Sequence, residues 1–355
     1  MTGSDGQSPP SLSVCIPVYN FAEFLPATLD SILGQDGAGE IEVVVLDGGS
    51  TDHTPQIMAA FADKFPQIRY VRLPQRGGID RDMAKAVSLA SNDYCWLFSG
   101  DDIMIPGAIR EILGQIGHLC DVYVLKHFEC TSEMVPLTEW PVLKVNTEIT
   151  FDLSDRYERL KYFSIAANSE ALFSFMSGIV VKRAKWESIS LNEAFVGSCW
   201  AHVARLFELM PAGMVVKYIP RVLLSRRGDN DSFSSRGLVN RYRISIEGYN
   251  NLGDTFFGRN SIEAYHIRRA LRGDLALSSF VLAKFKCREN PETEDRILLD
   301  RLVGKFYQDS GFSGKLEWFL YLICPTFPWL LPLLRRGYRM TGRVGPNRIT
   351  FRASG

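Results

Sequence analysis

The sequence predicts an α/β protein: a doubly wound, mostly parallel sheet followed by a helical C-terminal region. Three observations carry this. Short apolar runs alternate with helix-spaced runs through the first 125 residues; three of the apolar runs end in turns of Asp, Gly, Ser and Asn; and beyond Leu238 helical spacing takes over. Alternation with short connections implies right-handed crossovers between parallel neighbours.

In order, Leu12–Val18 (LSVCIPV) is an apolar strand that breaks at Tyr19-Asn20. Phe24, Leu25, Leu29, Ile32 and Leu33 then repeat at helical spacing, giving a helix to about Gln35. Ile41–Leu46 (IEVVVL) is a second buried strand, ending in Asp47-Gly48-Gly49-Ser50-Thr51-Asp52, whose Ser, Thr and Asp suit the cap of a helix reaching Lys64. Ile68–Leu73 is a third strand, and Ile79–Ala90 a third helix with Met83, Ala86, Val87 and Ala90 inward. Tyr94–Phe98 (YCWLF) is the fourth strand, Pro106–Ile116 a helix and Val122–Leu125 a fifth strand. Thr131–Trp140 reads as loop, Gly178–Val181 as a short strand, and a helix starts near Trp200. Met214–Ile219 and Val222–Ser225 read as two strands around Pro220. Helices follow over 238–251, 260–285 and 293–308.

Composition sets bounds. Of 355 residues, 46% are hydrophobic and 23% charged, so there is ample material for a core. Forty basic residues balance forty acidic ones, which gives no global electrostatic case for nucleic acid. The seven cysteines are scattered without a CxxC pair, so free thiols in a reducing compartment are expected rather than disulfides or zinc. The first eleven residues are polar and rich in Gly, Ser and Pro, with no apolar h-region, and the cytoplasm is the expected location.

The turn after Tyr94–Phe98, Ser99-Gly100-Asp101-Asp102, is where chemistry is expected, because ligands of open α/β sheets sit at the carboxyl ends of strands. Two adjacent carboxylates repel unless a cation or ligand offsets their charge. Asp101, alone or together with Asp102, suits a divalent cation shared with phosphate oxygens; an Asp-Asp helix cap before Pro106 is the alternative. Pro17-Val18-Tyr19-Asn20 and Asp47-Gly48-Gly49-Ser50 converge on the same edge. Neither a GxxxxGK[ST] loop nor a GxGxxG turn is present, so carboxylates rather than a glycine cradle dominate the strand ends.

SVCIPVYNFAEFLPATLDSIL, EVVVLDGGSTDHT, GGIDRDMAKAV and YCWLFSGDDIMIPGAI, in that order and spacing, resemble the nucleotide-binding half of family 2 glycosyltransferases, over roughly Ser11–Leu125. The resemblance implies the GT-A fold. It implies that Pro17, Val18 and Tyr19 line the nucleoside pocket and that Asp47 hydrogen-bonds base or ribose, against the plainer reading of an Asx turn. Asp80, Arg81 and Asp82 would lie in the segment closing over the nucleotide, with Arg81 reaching a phosphate, unless they form only an acidic first helical turn. Asp101 matches the last acid of the family's DxD motif, whose first two positions are Ser99 and Gly100 here. One carboxylate with diphosphate oxygens and water still suits Mg2+ or Mn2+.

Family members carry an acidic base for the acceptor hydroxyl where this chain has Gly197-Ser198-Cys199-Trp200. The candidates left are Glu193 upstream and His202 one turn into the helix, each with a structural alternative. Trp200 offers a flat face to an acceptor sugar, or belongs to the core. Arg226 and Arg227, opening a polar turn that runs to Ser232, suit the departing diphosphate, or form a solvated turn of internal Arg–Asp pairs. This turn, together with the GSCWAH stretch over 197–202, is also similar to abequosyltransferase-like enzymes of bacterial O-antigen assembly.

Trp318–Leu334 (WFLYLICPTFPWLLPLL) is uncharged but short for a span and broken by Pro325, Pro328 and Pro332. With six arginines and no acid from Arg335 onward, it fits a segment lying on an anionic membrane surface, or else a buried hairpin. The expected organisation is a flexible 1–11, a GT-A domain over 12–235 (nucleotide-sugar half 12–126, acceptor half 127–235), and a helical 236–355 whose 316–355 associates with the membrane. The expected activity is hexosyl or deoxyhexosyl transfer from a nucleoside diphosphate sugar to a hydroxyl of a lipid-linked saccharide, at the cytoplasmic face of the inner membrane. A non-catalytic sugar-nucleotide scaffold and a sugar-1-phosphate nucleotidyltransferase are the alternatives; the latter calls for a Gly-rich basic loop where this chain has FAEFLPATL.

Overall fold

The computed structural model describes residues 9–117, 120–228, 230, 236–292 and 294–326. The chain runs β1 (Leu12–Val18), α1 (Leu25–Leu33), β2 (Glu42–Asp47), α2 (Thr54–Lys64), β3 (Ile68–Arg72), α3 (Ile79–Leu89), β4 (Tyr94–Leu97), β5 (Ile103–Met104), α4 (Ala108–Gln115) and β6 (Val122–Cys130). It continues through β7 (Pro136–Glu139), β8 (Ile149–Asp152), α5 (Arg156–Ile165), β9 (Ile179–Lys182), α6 (Arg183–Glu187), α7 (Ala201–Leu209) and β10 (Val215–Arg226). Among the described residues, five helices follow: α8 (Leu238–Phe257), α9 (Ile262–Leu271), α10 (Leu277–Glu289), α11 (Arg296–Tyr307) and α12 (Phe312–Ile323).

The chain forms two compact units, the first comprising residues 1–128, 145–159 and 173–226. Its sheet has the order β3-β2-β1-β4-β9-β6-β10-β5, with β8 paired to β10. β3, β2, β1 and β4 are mutually parallel. β9 is antiparallel to β4 and β6, and β10 is antiparallel to β5 and β8. The parallel strands are thus those joined in sequence by the crossover helices α1, α2 and α3. β1 lies between two partners and is buried at every position, which is why it reads as a continuous apolar run. Leu29, Ile32, Ile109 and Ile112 from α1 and α4 pack with Val14, Ile16, Trp96 and Phe98 in one core.

The second unit takes 129–144, 160–172 and 227–355, so two segments from within the expected acceptor half belong with the helices. Arg269 of α9 explains part of this: its Nη2 donates to the carbonyls of Phe163, Ser164 and Ala166 at 2.7, 3.0 and 3.1 Å, capping the end of α5. Tyr249 of α8 donates to the carbonyl of Leu172 at 3.2 Å. Among the helices, Phe280 stacks edge-on against Phe306, with 4.9 Å between ring centroids.

Several elements differ from expectation. The expected loop over 131–140 contains β7, and β8 and α5 carry no strong periodic signal in the sequence. β10 is one strand through Pro220, which lies between the stretches paired to β8 and to β5, where its missing N–H costs no ladder bond to either. The helix expected over 260–285 is two, because a Cβ at Gly273 would meet the Ala167 carbonyl oxygen at 2.0 Å, an approach only glycine permits. Among the described residues no helix is long and apolar enough to cross a membrane. Residues 327–355, with Trp329, Pro328, Pro332 and the arginine-rich tail, lie outside the described residues.

Candidate functional site

The ends of β1, β2 and β4 are tied into one surface by short polar contacts within the first unit. Val18 pairs with Asp47 in register, and the Gly48 amide donates to the Val18 carbonyl at 2.9 Å. Asn20, at φ 59°, donates its amide to Ser50 Oγ at 2.9 Å and accepts the Thr51 amide on Oδ1 at 2.8 Å. Asn tolerates this left-handed backbone better than most residues, which is the local reason that β1 can turn so tightly. On the other side, a Cβ at Gly100 would lie 2.8 Å from Val18 Cγ1 and 3.0 Å from the Phe21 ring, so the turn after β4 presses on the end of β1.

Asp47 is fully buried and both its oxygens are engaged. Oδ1 accepts the Ser50 amide, three residues on, at 2.7 Å, and Oδ2 accepts the Tyr70 hydroxyl at 2.7 Å with Arg72 Nε 3.6 Å away. Burial and the Asp47 carboxylate push the Tyr70 phenol well above its ordinary range. Tyr19 carries the Arg76 guanidinium over its ring at 4.4 Å, while Pro17 and Val18 are buried in the strand.

The turn after β4 is equally networked. Ser99 Oγ donates to Asp101 Oδ1. Ser177 Oγ donates to Asp102 Oδ2 at 2.6 Å and accepts the Ser99 amide at 2.9 Å. Thr28 Oγ1 shares its proton between the carbonyls of Gly100 and Asp102, at 3.0 and 2.9 Å. Asp101 and Asp102 are both buried. Among the described residues no group of three or more His, Cys, Asp or Glu side chains is arranged to hold a metal. What the turn offers a cation is one hard oxygen ligand at Asp101, which fits Mg2+ or Mn2+ only as an ion shared with a ligand's own oxygens.

The first turn of α3 places three charged side chains in three directions. Asp80 Oδ2 accepts the amides of Gly197 and Cys199 at 2.8 and 3.1 Å, and Oδ1 accepts that of Ala201 at 3.0 Å. Arg81 makes a two-pronged ion pair with Glu193, Nη1–Oε1 3.0 Å and Nη2–Oε2 2.6 Å. Asp82 Oδ1 accepts the Gly77 amide at 3.2 Å, and its other oxygen lies where a Cβ on Gly48 would approach to 3.1 Å. Burial raises the Asp82 carboxyl above its ordinary value, against the pull of the Gly77 amide and of Arg76.

His202 lies inside α7, nearly buried, with Nε2 3.0 Å from the Phe173 carbonyl. A carbonyl only accepts, so Nε2 carries the proton and Nδ1 the lone pair. Burial lowers its pKa, outweighing the nearby Asp80 charge and the Phe173 contact. Trp200 is also buried, its ring centroid 6.3 Å from that of His202. Arg226 holds its guanidinium over Phe175 at 5.2 Å, and Phe175 packs against His127 with 4.6 Å between centroids. In the second unit, Arg227 donates to the Ser132 carbonyl. None of the seven cysteines is in a disulfide, and only Cys199 and Cys324 are partly exposed.

The structure therefore brings Val18, Asp47, Asp82, Gly100 and their turns together, and joins Arg81 to Glu193. It gives roles to Asn20 and Thr28, which lie in the first motif without one, and adds Tyr70, Arg76 and Ser177, which no motif marks. Tyr70 and Arg76 had a faint signal, a polar aromatic on a strand and a basic residue before Gly77-Gly78. Ser177 had none.

The family model for glycosyl transferase family 2 matches residues 13–176. The chain is 30% identical over 257 residues to abequosyltransferase RfbV of Salmonella typhimurium, covering 70% of this chain and 76% of that protein. It is 29% identical over 105 residues to glycosyltransferase GlyG of Streptococcus pneumoniae, covering 30% of this chain and 35% of that one. Among solved structures, S. aureus TarS 1-349 in complex with UDP-GlcNAc superposes with a TM-score of 0.55 at 16% identity, over 94% of this chain and 89% of that one. Mannosyltransferase PcManGT from Pyrobaculum calidifontis, in complex with GDP-Man and Mn2+, superposes with a TM-score of 0.50 at 17% identity, over 87% and 90%. The α/β architecture with a helical C-terminal part is thus of GT-A type.

Proposed function

Because the chain belongs to glycosyl transferase family 2, we propose that it moves a sugar from a nucleoside diphosphate sugar to a hydroxyl of a lipid-linked bacterial saccharide. O-antigen or other surface polysaccharide synthesis is the setting, and the sugar is a hexose or deoxyhexose; both rest on the likeness to an abequosyltransferase. The observation that carries the reading is the convergence of the β1, β2 and β4 turns, with Asp47, Asp82 and Asp101 at one sheet edge.

The donor's nucleoside lies against Tyr19 and the Asp47–Tyr70–Arg72 cluster, where a small shift of the Tyr70 hydroxyl frees Asp47 Oδ2 for a base or ribose donor. Arg76, held over Tyr19, supplies positive charge beside the phosphates. Asp101, supported by Asp102 and Ser177 behind it, would provide the protein's own ligand to a Mg2+ or Mn2+ ion. When bound, that ion neutralises charge on the departing nucleoside diphosphate. Arg226 serves the same leaving group; Arg227 is already engaged with Ser132 and is left out. The acceptor proton goes either to Glu193, freed from Arg81, or to His202 Nδ1. Trp200, buried, shapes the acceptor side from behind rather than stacking openly on a sugar.

Membrane association at the cytoplasmic face is assigned to the C-terminal end. α12 exposes Phe312, Leu316, Trp318, Phe319, Leu322 and Ile323, a set of large apolar side chains that water does not favour. Flotation with vesicles rich in anionic lipid tests this; a chain left in the soluble fraction refutes it.

A thermal-shift panel of UDP, GDP, CDP and dTDP, each with and without manganese, tests the donor site, because binding to the native state alone raises apparent stability. One nucleotide giving a manganese-dependent rise supports the reading and names the donor class. No rise with any of them turns it towards a site that does not bind nucleotide.

A further inference from the structure

The first turn of α3 has the donor side on one flank and residues 193–202 on the other. Asp82 faces the Gly48 and Gly77 turns, while Asp80, two residues earlier, takes three backbone amides from 197–201. Two of those amides belong to residues with left-handed backbone, Gly197 at φ 85° and Cys199 at φ 72°. A non-glycine residue there is strained, and such strain persists only where surrounding contacts enforce it. The Asp80 carboxylate is one such contact, together with the Ser198 hydroxyl, which donates to the Phe195 carbonyl and accepts the Trp200 amide. The carboxylate is also the anion at the N-terminus of α7, where free amides and the helix dipole favour negative charge. The start of α7 is therefore filled by the chain's own side chain and offers no seat for a donor phosphate.

We propose that Asp80 is a positioning residue that fixes the acceptor segment 197–202, and that the first turn of α3 transmits donor binding to that segment. The proposal rests on the transferase reading for its second half only. With nucleotide on the Tyr19 and Asp47 side, the Gly77-Gly78 entry to α3 is held through Asp82, and Asp80 is held with it. The turn 197–199 then closes, and His202 and Glu193 come to rest on its two sides. Without nucleotide the same turn opens more often.

Cys199 makes this measurable without knowing the acceptor. In a Cys324→Ser background it is the one thiol of the chain that is not buried. Its rate of reaction with an aromatic disulfide reagent reports how often the 197–199 turn opens. Losing charge-assisted hydrogen bonds to three amides predicts labelling about tenfold faster in Asp80→Ala, with Asp80→Asn in between, since an amide oxygen replaces part of the set. Asp80→Asn also covers the case in which the alanine variant does not fold. The nucleoside diphosphate that stabilises the protein should slow labelling in the parent chain. It should still stabilise Asp80→Asn while no longer slowing its labelling, an uncoupling that mere loss of stability does not produce. Labelling at the parent rate in both variants overturns the positioning role. Equal protection by nucleotide in parent and Asp80→Asn overturns the transmission. If no nucleotide binds at all, the donor site reading and the transmission fall together, and the labelling rates still decide the role of Asp80.

Discussion

The Ser177 hydroxyl donates to Asp102 Oδ2 at 2.6 Å, which separates two neighbouring acids into different tasks. Asp102 is held from behind by a residue on the loop before β9, and Asp101 faces the Ser99 hydroxyl within the turn itself. Removing one partner of a buried hydrogen bond leaves the other unsatisfied, at a cost of about 1–3 kcal/mol. Asp102→Ala and Ser177→Ala are therefore expected to lower the urea midpoint by amounts that are less than additive in the double variant. Fully additive losses would mean that the pair is not coupled.

Gly100 has no room for a side chain. A Cβ there would meet Val18 Cγ1 at 2.8 Å, and Val18 is buried in the strand. Gly100→Ala is expected to cost roughly 1–3 kcal/mol through overpacking and to weaken nucleotide binding, because the turn carrying Asp101 must move away from β1. Calorimetric titration with the stabilising nucleotide checks this; unchanged affinity would show that the turn is not part of the donor site.

Glu193 and Arg81 form a pair in which both side chains are about half exposed, at 64% and 49%. Such pairs contribute at most about 1 kcal/mol. Glu193→Gln should leave the melting temperature within a few degrees of the parent. If Glu193 takes the acceptor proton, the same variant should lower turnover by about a hundredfold or more. A large fall in both would point to a structural role for the pair.

His202 and His266 are both held below their ordinary value of 6.5, chiefly by burial. A histidine that resists protonation in the fold binds its proton more readily in the unfolded chain. Stability is then complete above 6.5 and falls as pH drops from there towards the folded values. Denaturation midpoints at about pH 7.5 and about pH 5.5 should show this loss, and His202→Gln should reduce it. An unchanged loss in that variant would remove His202 as a contributor.

Much of the first unit was legible because its strands are bounded by residues with local reasons to turn. β1 through β4 and the helices between them follow from apolar runs ended by Asn20, by Asp47-Gly48 and by Ser99-Gly100. Met83, Ala86, Val87 and Ala90 point inward as their spacing requires. The partners of the acids were not legible. The amide of Gly197 lies 117 residues from Asp80 in sequence, and Ser177 lies 75 from Asp102. Such distant pairings leave no periodic trace. For the same reason Asp80, expected among the nucleotide-closing residues, is found holding the start of α7. The break at Gly273 is likewise set by a distant carbonyl rather than by any nearby signal.

Sugar transfer from a nucleotide sugar at a site built on Asp101 accounts for the convergence of the strand-end turns in the first unit. It is tested most directly by following nucleoside diphosphate release from UDP-, GDP-, CDP- and dTDP-sugars, with bacterial membrane extract as the acceptor source. The parent chain should release one nucleotide in a manganese-stimulated reaction, and Asp101→Asn should slow that release by about a hundredfold or more while folding normally. Release at the parent rate by Asp101→Asn would contradict the placement of the site, and no release from any donor would contradict the transferase itself.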